Sequence, residues 1–176
     1  MALSCKLSRN LLRTTNCSYS LPEVTDIYIA NYNDVTATIG EDTGGCESVT
    51  AITMASGETF YHIEPAKNST SFSDELVVED SGNKYRTHTI SFSYNSKYDA
   101  CLHIDFDNLS LGRFIVVVKT ADGNYLMLGR LTGLEASVAT LAGGGDTNGM
   151  SITLTANIAE SVLPLSDAAV NVVIGA

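Results

Sequence analysis

The feature that most constrains this chain is a pair of long alternating arms about a turn, FSDELVVED, SGN, KYRTHTISFSY, running from Phe72 to Tyr94. Each arm is about ten residues long, where about five or six is usual for a strand. Asp80-Ser-Gly-Asn83 supplies the turn. Successive strand side chains point to opposite faces, so in the second arm Arg86, His88, Ile90, Phe92 and Tyr94 share one face, and Tyr85, Thr87, Thr89, Ser91 and Ser93 share the other. The first face is greasy near its base; the second is almost all hydroxyl. A strand this polar on one side turns that side to water, either outside the particle or inside a wet channel. A lone hairpin of this length also presents an exposed edge. The pattern points to a mainly β protein with a hairpin longer than it needs to cover its own core.

The same reasoning places strands at Val24–Asn31, Val35–Ile39, Ser48–Met54 and Thr59–Ile63, the last interrupted by Pro65. Ser96–Leu109 is the one good helix candidate. Ser96 offers a capping hydroxyl with Asp99 three residues on, and Tyr98, Cys101, Leu102, Asp105 or Phe106, and Leu109 recur near helical spacing, although His103–Asp107 also alternates as a strand does. Gly112 ends the segment. Arg113–Thr120 and Tyr125–Arg130, joined by Ala121-Asp-Gly-Asn124, form a second hairpin whose apolar run predicts burial on both faces; this is the expected core. Leu134–Leu141 and Met150–Asn157 are two further strands about the glycine-rich connection 143–149.

The two ends differ from this body. The residues before Pro22 carry no sustained period and read as an arm, while Pro164–Ala176 is apolar and β-branched, too greasy for a solvated tail and without the period of a self-sufficient element. Leu11, Leu12, Val170, Val172, Val173 and Ile174 are side chains whose burial is worth about 1.5 to 3 kcal/mol each. Both ends therefore need a surface to lie on: for the C-terminal stretch either its own domain or a neighbour, and in a repeating assembly the expectation is that the neighbouring subunit supplies it for both. The chain divides into an arm at 1–22, a β-rich domain at 23–158 and a C-terminal extension at 159–176.

At 176 residues one domain is the default. The net charge of −10 argues against gripping nucleic acid, which needs cations to displace counterions, but suits a wall past which a phosphate backbone slides. The search for chemistry finds no constellation. His62, His88 and His103 sit beside apolar or hydroxyl neighbours in no ligand spacing, Asp105 and Asp107 lack a partner nucleophile, and Gly143-Gly-Gly-Asp lacks the Gly-Lys-Ser/Thr ending of a phosphate cradle. Glu41, Asp42 and Glu47 match no calcium loop. No enzyme, cofactor or metal is expected. Cys5, Cys17, Cys46 and Cys101 are too scattered for a zinc site, and a pairing of Cys5 with Cys17 stays open. The N-terminus has no apolar signal core and no run reaches membrane-spanning length, so a cytosolic origin is expected.

Taken in order, several segments resemble the tail tube proteins of phages infecting Bacteroidetes-type bacteria. They are Cys5 and Cys17 in the short arm, Val24–Asp34, Ile52-Thr-Met-Ala-Ser-Gly57 with Phe60-Tyr61, Ser71–Leu76, and, after the helix, Phe114–Lys119, Asp122–Tyr125, Leu128–Arg130 and Met150–Thr155. The pattern covers residues 5–157; the ending at Asn157 and the stretch 159–176 depart from it. The resemblance implies a β-sandwich or half-barrel with one flanking helix, whose long hairpins stand side by side in a ring, usually of six copies, and close a barrel about a channel. It implies a structural virion protein, made in the bacterial cytoplasm and stacked into a tail tube that conducts DNA during ejection without binding it tightly. Its partners are then its own copies and other tail proteins. On that reading Thr87, Thr89, Ser91 and Ser93 face the channel, while Leu11, Leu12, Phe72, Leu76, Val170, Val172, Val173 and Ile174 meet neighbouring subunits. The alternatives are another ring of the same machine, such as a collar or terminator, or a head decoration protein. From a different class comes a monomeric ligand-binding β-sandwich, with Tyr28, Tyr32 and Tyr61 lining a groove.

Overall fold

A computed structural model describes residues 23–41, 45–95, 101–144 and 149–175. Leu11, Leu12, Cys5, Cys17 and the Ser96 cap lie outside the described residues. In chain order the elements are β1 (Val24–Asn31), β2 (Val35–Glu41), β3 (Glu47–Met54), β4 (Tyr61–Ile63), β5 (Ser71–Val78), β6 (Lys84–Asn95), α1 (Leu102–Leu111), β7 (Arg113–Thr120), β8 (Tyr125–Leu128), β9 (Leu134–Ala142), β10 (Gly149–Ile158), β11 (Leu163–Pro164) and α2 (Asp167–Ile174). The molecule is mainly β, dominated by one large antiparallel sheet. β7 has β1 on one edge, with β4 beyond it, and β8 on the other, with β11 beyond. From Arg113 and Phe114 of β7 the sheet continues through β9, β10 and β6 to β5. The hairpin β2–β3 forms a separate sheet.

β7 is the wall between two cores. Phe114, Val116 and Val118 enter one core with Ile27, Ile29, Ile90, Phe92, Ile152 and Leu154. Ile115 and Val117 enter the other with Val35, Val49, Ile52, Phe60 and Met127. Neighbouring side chains on a strand point to opposite faces, and both faces of β7 are covered, so the run is apolar without a break. α1 closes the first core with Leu102 and Leu109, and Phe106 packs beside them. It begins at Leu102, preceded by Cys101 with no capping side-chain bond, and ends where Gly112 donates its N–H to the Asn108 carbonyl at 2.9 Å.

The C-terminal stretch corrects the sequence reading. One helix was expected and the described residues hold two α-helices, because Asp167–Ile174 is a capped helix: Ser166 Oγ accepts the Ala169 N–H, and Gly175 takes φ 72° and donates to the Asn171 carbonyl. Ala169 and Val173, one helical turn apart, are buried in the second core, where α2 lies on β3. Ser166 anchors the start, donating its N–H to the Val49 carbonyl at 3.0 Å and its hydroxyl to the Thr50 carbonyl at 3.2 Å. Val173 is therefore covered by its own chain and is withdrawn as an inter-subunit residue. Val170 is half-buried, and Val172 and Ile174 are exposed. β-branched residues are poor helix formers and the stretch shows no sustained period, but docking on β3 overrides that preference.

Candidate assembly surface

β5, β6, β10 and β9 lie side by side, and their register fixes which side chains share a face. One row runs Ser71, Ser91, Thr153, Val138; the next runs Ser73, Thr89, Thr155, Glu135. Ser93 stands beside Ser151, and Thr87 stands between Glu75 and Asn157. Thr87, Thr89, Ser91 and Ser93 thus stand half-buried on the face opposite the buried Ile90 and Phe92, as the alternation of β6 predicts. The hydroxyls bond to one another across the strands. Ser91 Oγ meets Thr153 Oγ1 at 2.8 Å, Thr89 Oγ1 meets Thr155 Oγ1 at 3.2 Å, and the Thr87 hydroxyl donates to Asn157 Oδ1 at 3.0 Å. Among the described residues the four strands bring carboxylates to this face, at Glu75 and Glu135, but no lysine or arginine. Arg113 of β7 reaches its margin and is paired there with Glu135 at 2.6 Å.

This sheet ends at β5, which pairs with β6 and has no strand on its other edge among the described residues. The hairpin also runs past the body that supports it. Phe72 packs against the first core, whereas Leu76 and Val78, further along the same side, are 58% and 57% exposed. The two residues grouped by sequence as subunit contacts are thus separated: Phe72 belongs largely to its own chain and Leu76 does not.

A polar network, missed by sequence reasoning, fixes the hairpin at its base. Asp74 of β5 accepts from Arg86 Nε at 2.5 Å and from the Val162 N–H at 3.0 Å. His88 is buried: its Nδ1 accepts the Gly129 N–H at 3.3 Å, so its Nε2 carries the proton and donates to the Glu160 carbonyl at 3.1 Å. Arg130 grips the Glu160 carboxylate through two nitrogens, Nε–Oε1 at 3.0 Å and Nη2–Oε2 at 2.5 Å. Gly129 holds φ 77°, and a Cβ there would come within 2.8 Å of Leu134 Cγ, so glycine is needed to aim that N–H at the imidazole. Burial pushes His88 below the ordinary histidine range, against the opposing pull of Asp74 and Glu160. Burial alone would raise Asp74, but the bonds from Arg86 and the Val162 N–H outweigh it and hold the carboxyl below its usual range. The signal available in the sequence was the placing of Arg86 and His88 on the core-facing parity of β6. Arg86 finds Asp74 across the hairpin, but the partners of His88 come from the distant Gly129 and Glu160, and Asp74 takes its second bond from Val162.

No family model, no curated protein and no solved structure matches this chain.

The remaining candidates are dispersed. His62 pairs with Asp26 at 2.8 Å beside Lys119 and stacks on Tyr28 at 4.8 Å. His103, Asp105 and Asp107 are exposed on α1. Among the described residues no three His, Cys, Asp or Glu side chains converge as metal ligands, and no helix is long and apolar enough to cross a membrane. The three tyrosines suggested for a ligand groove do not gather: Tyr28 is on His62, Tyr32 donates to the Leu131 carbonyl at 2.5 Å, and Tyr61 lines a cleft of about 850 Å³ against α1.

Proposed function

We propose that the chain is a structural subunit that pairs through the β5–β6 hairpin into rings, and that the rings stack into a virion tail tube with the hydroxyl face on its lumen. The observation that carries this reading is the hydroxyl-covered sheet ending on a projecting β5 whose outer edge carries no strand among the described residues. An eight-residue edge of that kind is a template for another strand, and natural monomers cover or blunt such edges. Leu76 and Val78 add apolar surface where the hairpin outruns its own core. The lumenal role follows from the chemistry of the face. A phosphate backbone is held by lysine and arginine; here the nearest arginine is neutralised, carboxylates repel, and the hydroxyls carry no charge to displace counterions. DNA would pass such a wall without sticking. The network at His88, Arg130 and Glu160 would keep the hairpin from swinging as rings form.

Electron microscopy of the purified protein, with mass measurement over a concentration series, tests the reading. Rings or filaments that grow with concentration are expected; a monomer at every concentration overturns it. The double substitution Leu76→Lys and Val78→Lys should leave the fold intact and block assembly.

A further inference from the structure

The cleft of about 850 Å³ lies between the end of β1, β4 and α1. Its lining is apolar at Ile29, Tyr61, Leu111 and Phe114, with Asp105 and Asn108 of α1 among its polar groups. Its rim is unusually greasy: Leu111 is 87% and Tyr61 54% exposed, and Ile104, two helical turns from Leu111 on α1, is 51% exposed. α1 thus presents apolar side chains away from the core it closes, beside a groove that can receive them and something more.

We infer that this cleft is the seat for residues 1–22 of a neighbouring copy. The inference rests on the assembly reading above and names the contact that joins one copy to the next. Two observations select the occupant. The first is charge. Residues 1–22 hold Lys6, Arg9 and Arg13 and no carboxylate; of the chain's 10 cations and 20 carboxylates, the remaining 7 and all 20 fall after residue 22, so an arm of +3 precedes a body of −13. With Leu3, Leu7, Leu11 and Leu12 the arm offers the apolar and basic chemistry that an apolar cleft edged by Asp105 accepts. The second is direction. β1 leaves the arm at Val24, beside Thr120 of β7, whereas the cleft lies at the far end of β1, where Asn31 meets Phe114. Seven residues of strand separate the two, about 23 Å at about 3.3 Å each. An arm of 22 residues is long enough to double back over that distance, but a copy stacked head to tail brings its cleft to the end of β1 from which the arm starts, and that contact repeats along a stack.

The test uses the full chain with a photo-crosslinking residue at position 12, expressed in isotope-labelled and unlabelled batches that are mixed before assembly and irradiation. Crosslinks from position 12 to the peptides bearing Tyr61 or Leu109–Leu111, with mixed-isotope pairs, are expected. The charge reversal Lys6→Glu, Arg9→Glu, Arg13→Glu should cut their yield at least fivefold, and Asp105→Lys should restore part of it. Crosslinks to another surface, or same-isotope pairs alone, overturn the inference. If rings still form in that case, the assembly reading survives; a protein that is monomeric throughout and crosslinks only within itself sinks both.

Discussion

β6 and β7 are long strands of the same antiparallel sheet, yet they are buried in different ways. In β7 five consecutive residues, Phe114 to Val118, are buried. In β6 burial alternates, taking His88, Ile90 and Phe92 and leaving Thr87, Thr89, Ser91 and Ser93 half-exposed. β7 is read twice by the fold, once from each core, so either parity is intolerant of change. β6 is read once by the fold, and its other parity is left to serve something else. The contrast separates residues that make the structure from residues that the structure displays, and substitutions on the two strands should divide accordingly.

The largest effect belongs to β7. Val117→Asp places a carboxylate where Ile52, Met127 and Val173 converge in the second core, with no partner to receive it. Destabilisation above about 4 kcal/mol is expected, enough to leave little folded protein. Ser91→Asp, a change of similar chemistry on the displayed parity of β6, should cost under about 1 kcal/mol. Urea midpoints of the two variants check this. Comparable losses would show that the hydroxyl face is packed against something in the monomer.

Next comes the latch that joins the two kinds of region. Arg130→Ala leaves the mostly buried Glu160 carboxylate without its two charge-assisted bonds, and a loss of about 3 kcal/mol is expected. The hairpin should then exchange its amide protons faster at β5 than at β7, because β5 loses the tether through residues 160–162 while β7 keeps both cores. Uniform acceleration across both strands would mean that the network holds the whole domain and has no special hold on the hairpin.

How much of this could be read beforehand follows the same division. β7 with its turn and β8, and the parity of β6, were legible because their patterns are local and long. The network was not, since Asp74, His88, Gly129 and Glu160 come together only when four separate segments fold, and no spacing rule connects them. α2 was misread because Val170, Val172, Val173 and Ile174 outweighed two quieter signals, Ser166 before the run and Gly175 after it. A helix of eight residues gains little from its own propensity and forms because Ala169 and Val173 find β3.

A smaller effect is expected from pH. His88 is held neutral, with its pKa below that of the unfolded chain, so folding excludes a proton that the unfolded state takes up. Its contribution is complete above about pH 6.5 and is lost as pH falls from there toward the folded value. Protonation would put a hydrogen on Nδ1, against the Gly129 N–H. Asp74, also lowered, adds its own loss only at more acid pH, below the ordinary carboxylate range. Thermal melts from pH 7 to pH 5 should therefore slope downward in the native protein, and His88→Gln should be less stable but flatter over that interval. An equal slope in both would remove His88 as the cause.

The smallest effect sharpens the comparison most, because it asks whether the displayed face matters to stability at all. Ser91 and Thr153 share one hydroxyl bond at 2.8 Å on a half-buried surface. Removing either side chain's hydroxyl exchanges that bond for water, which reaches the face, so each single substitution, Ser91→Ala or Thr153→Val, should change stability by about 0.5 kcal/mol, and the coupling between them should be of the same order. The functional consequence is larger than the energetic one. With Ser91→Lys and Thr89→Lys the fold should survive, while the assembled protein should acquire salt-dependent affinity for duplex DNA that the native face lacks, since two cations per copy would be repeated around a ring. A mobility-shift assay at low and physiological salt reads the difference. If the lysine variants assemble normally and still ignore DNA, cations on this face do not decide whether it holds a phosphate backbone, and the charge argument for a lumenal hydroxyl face fails.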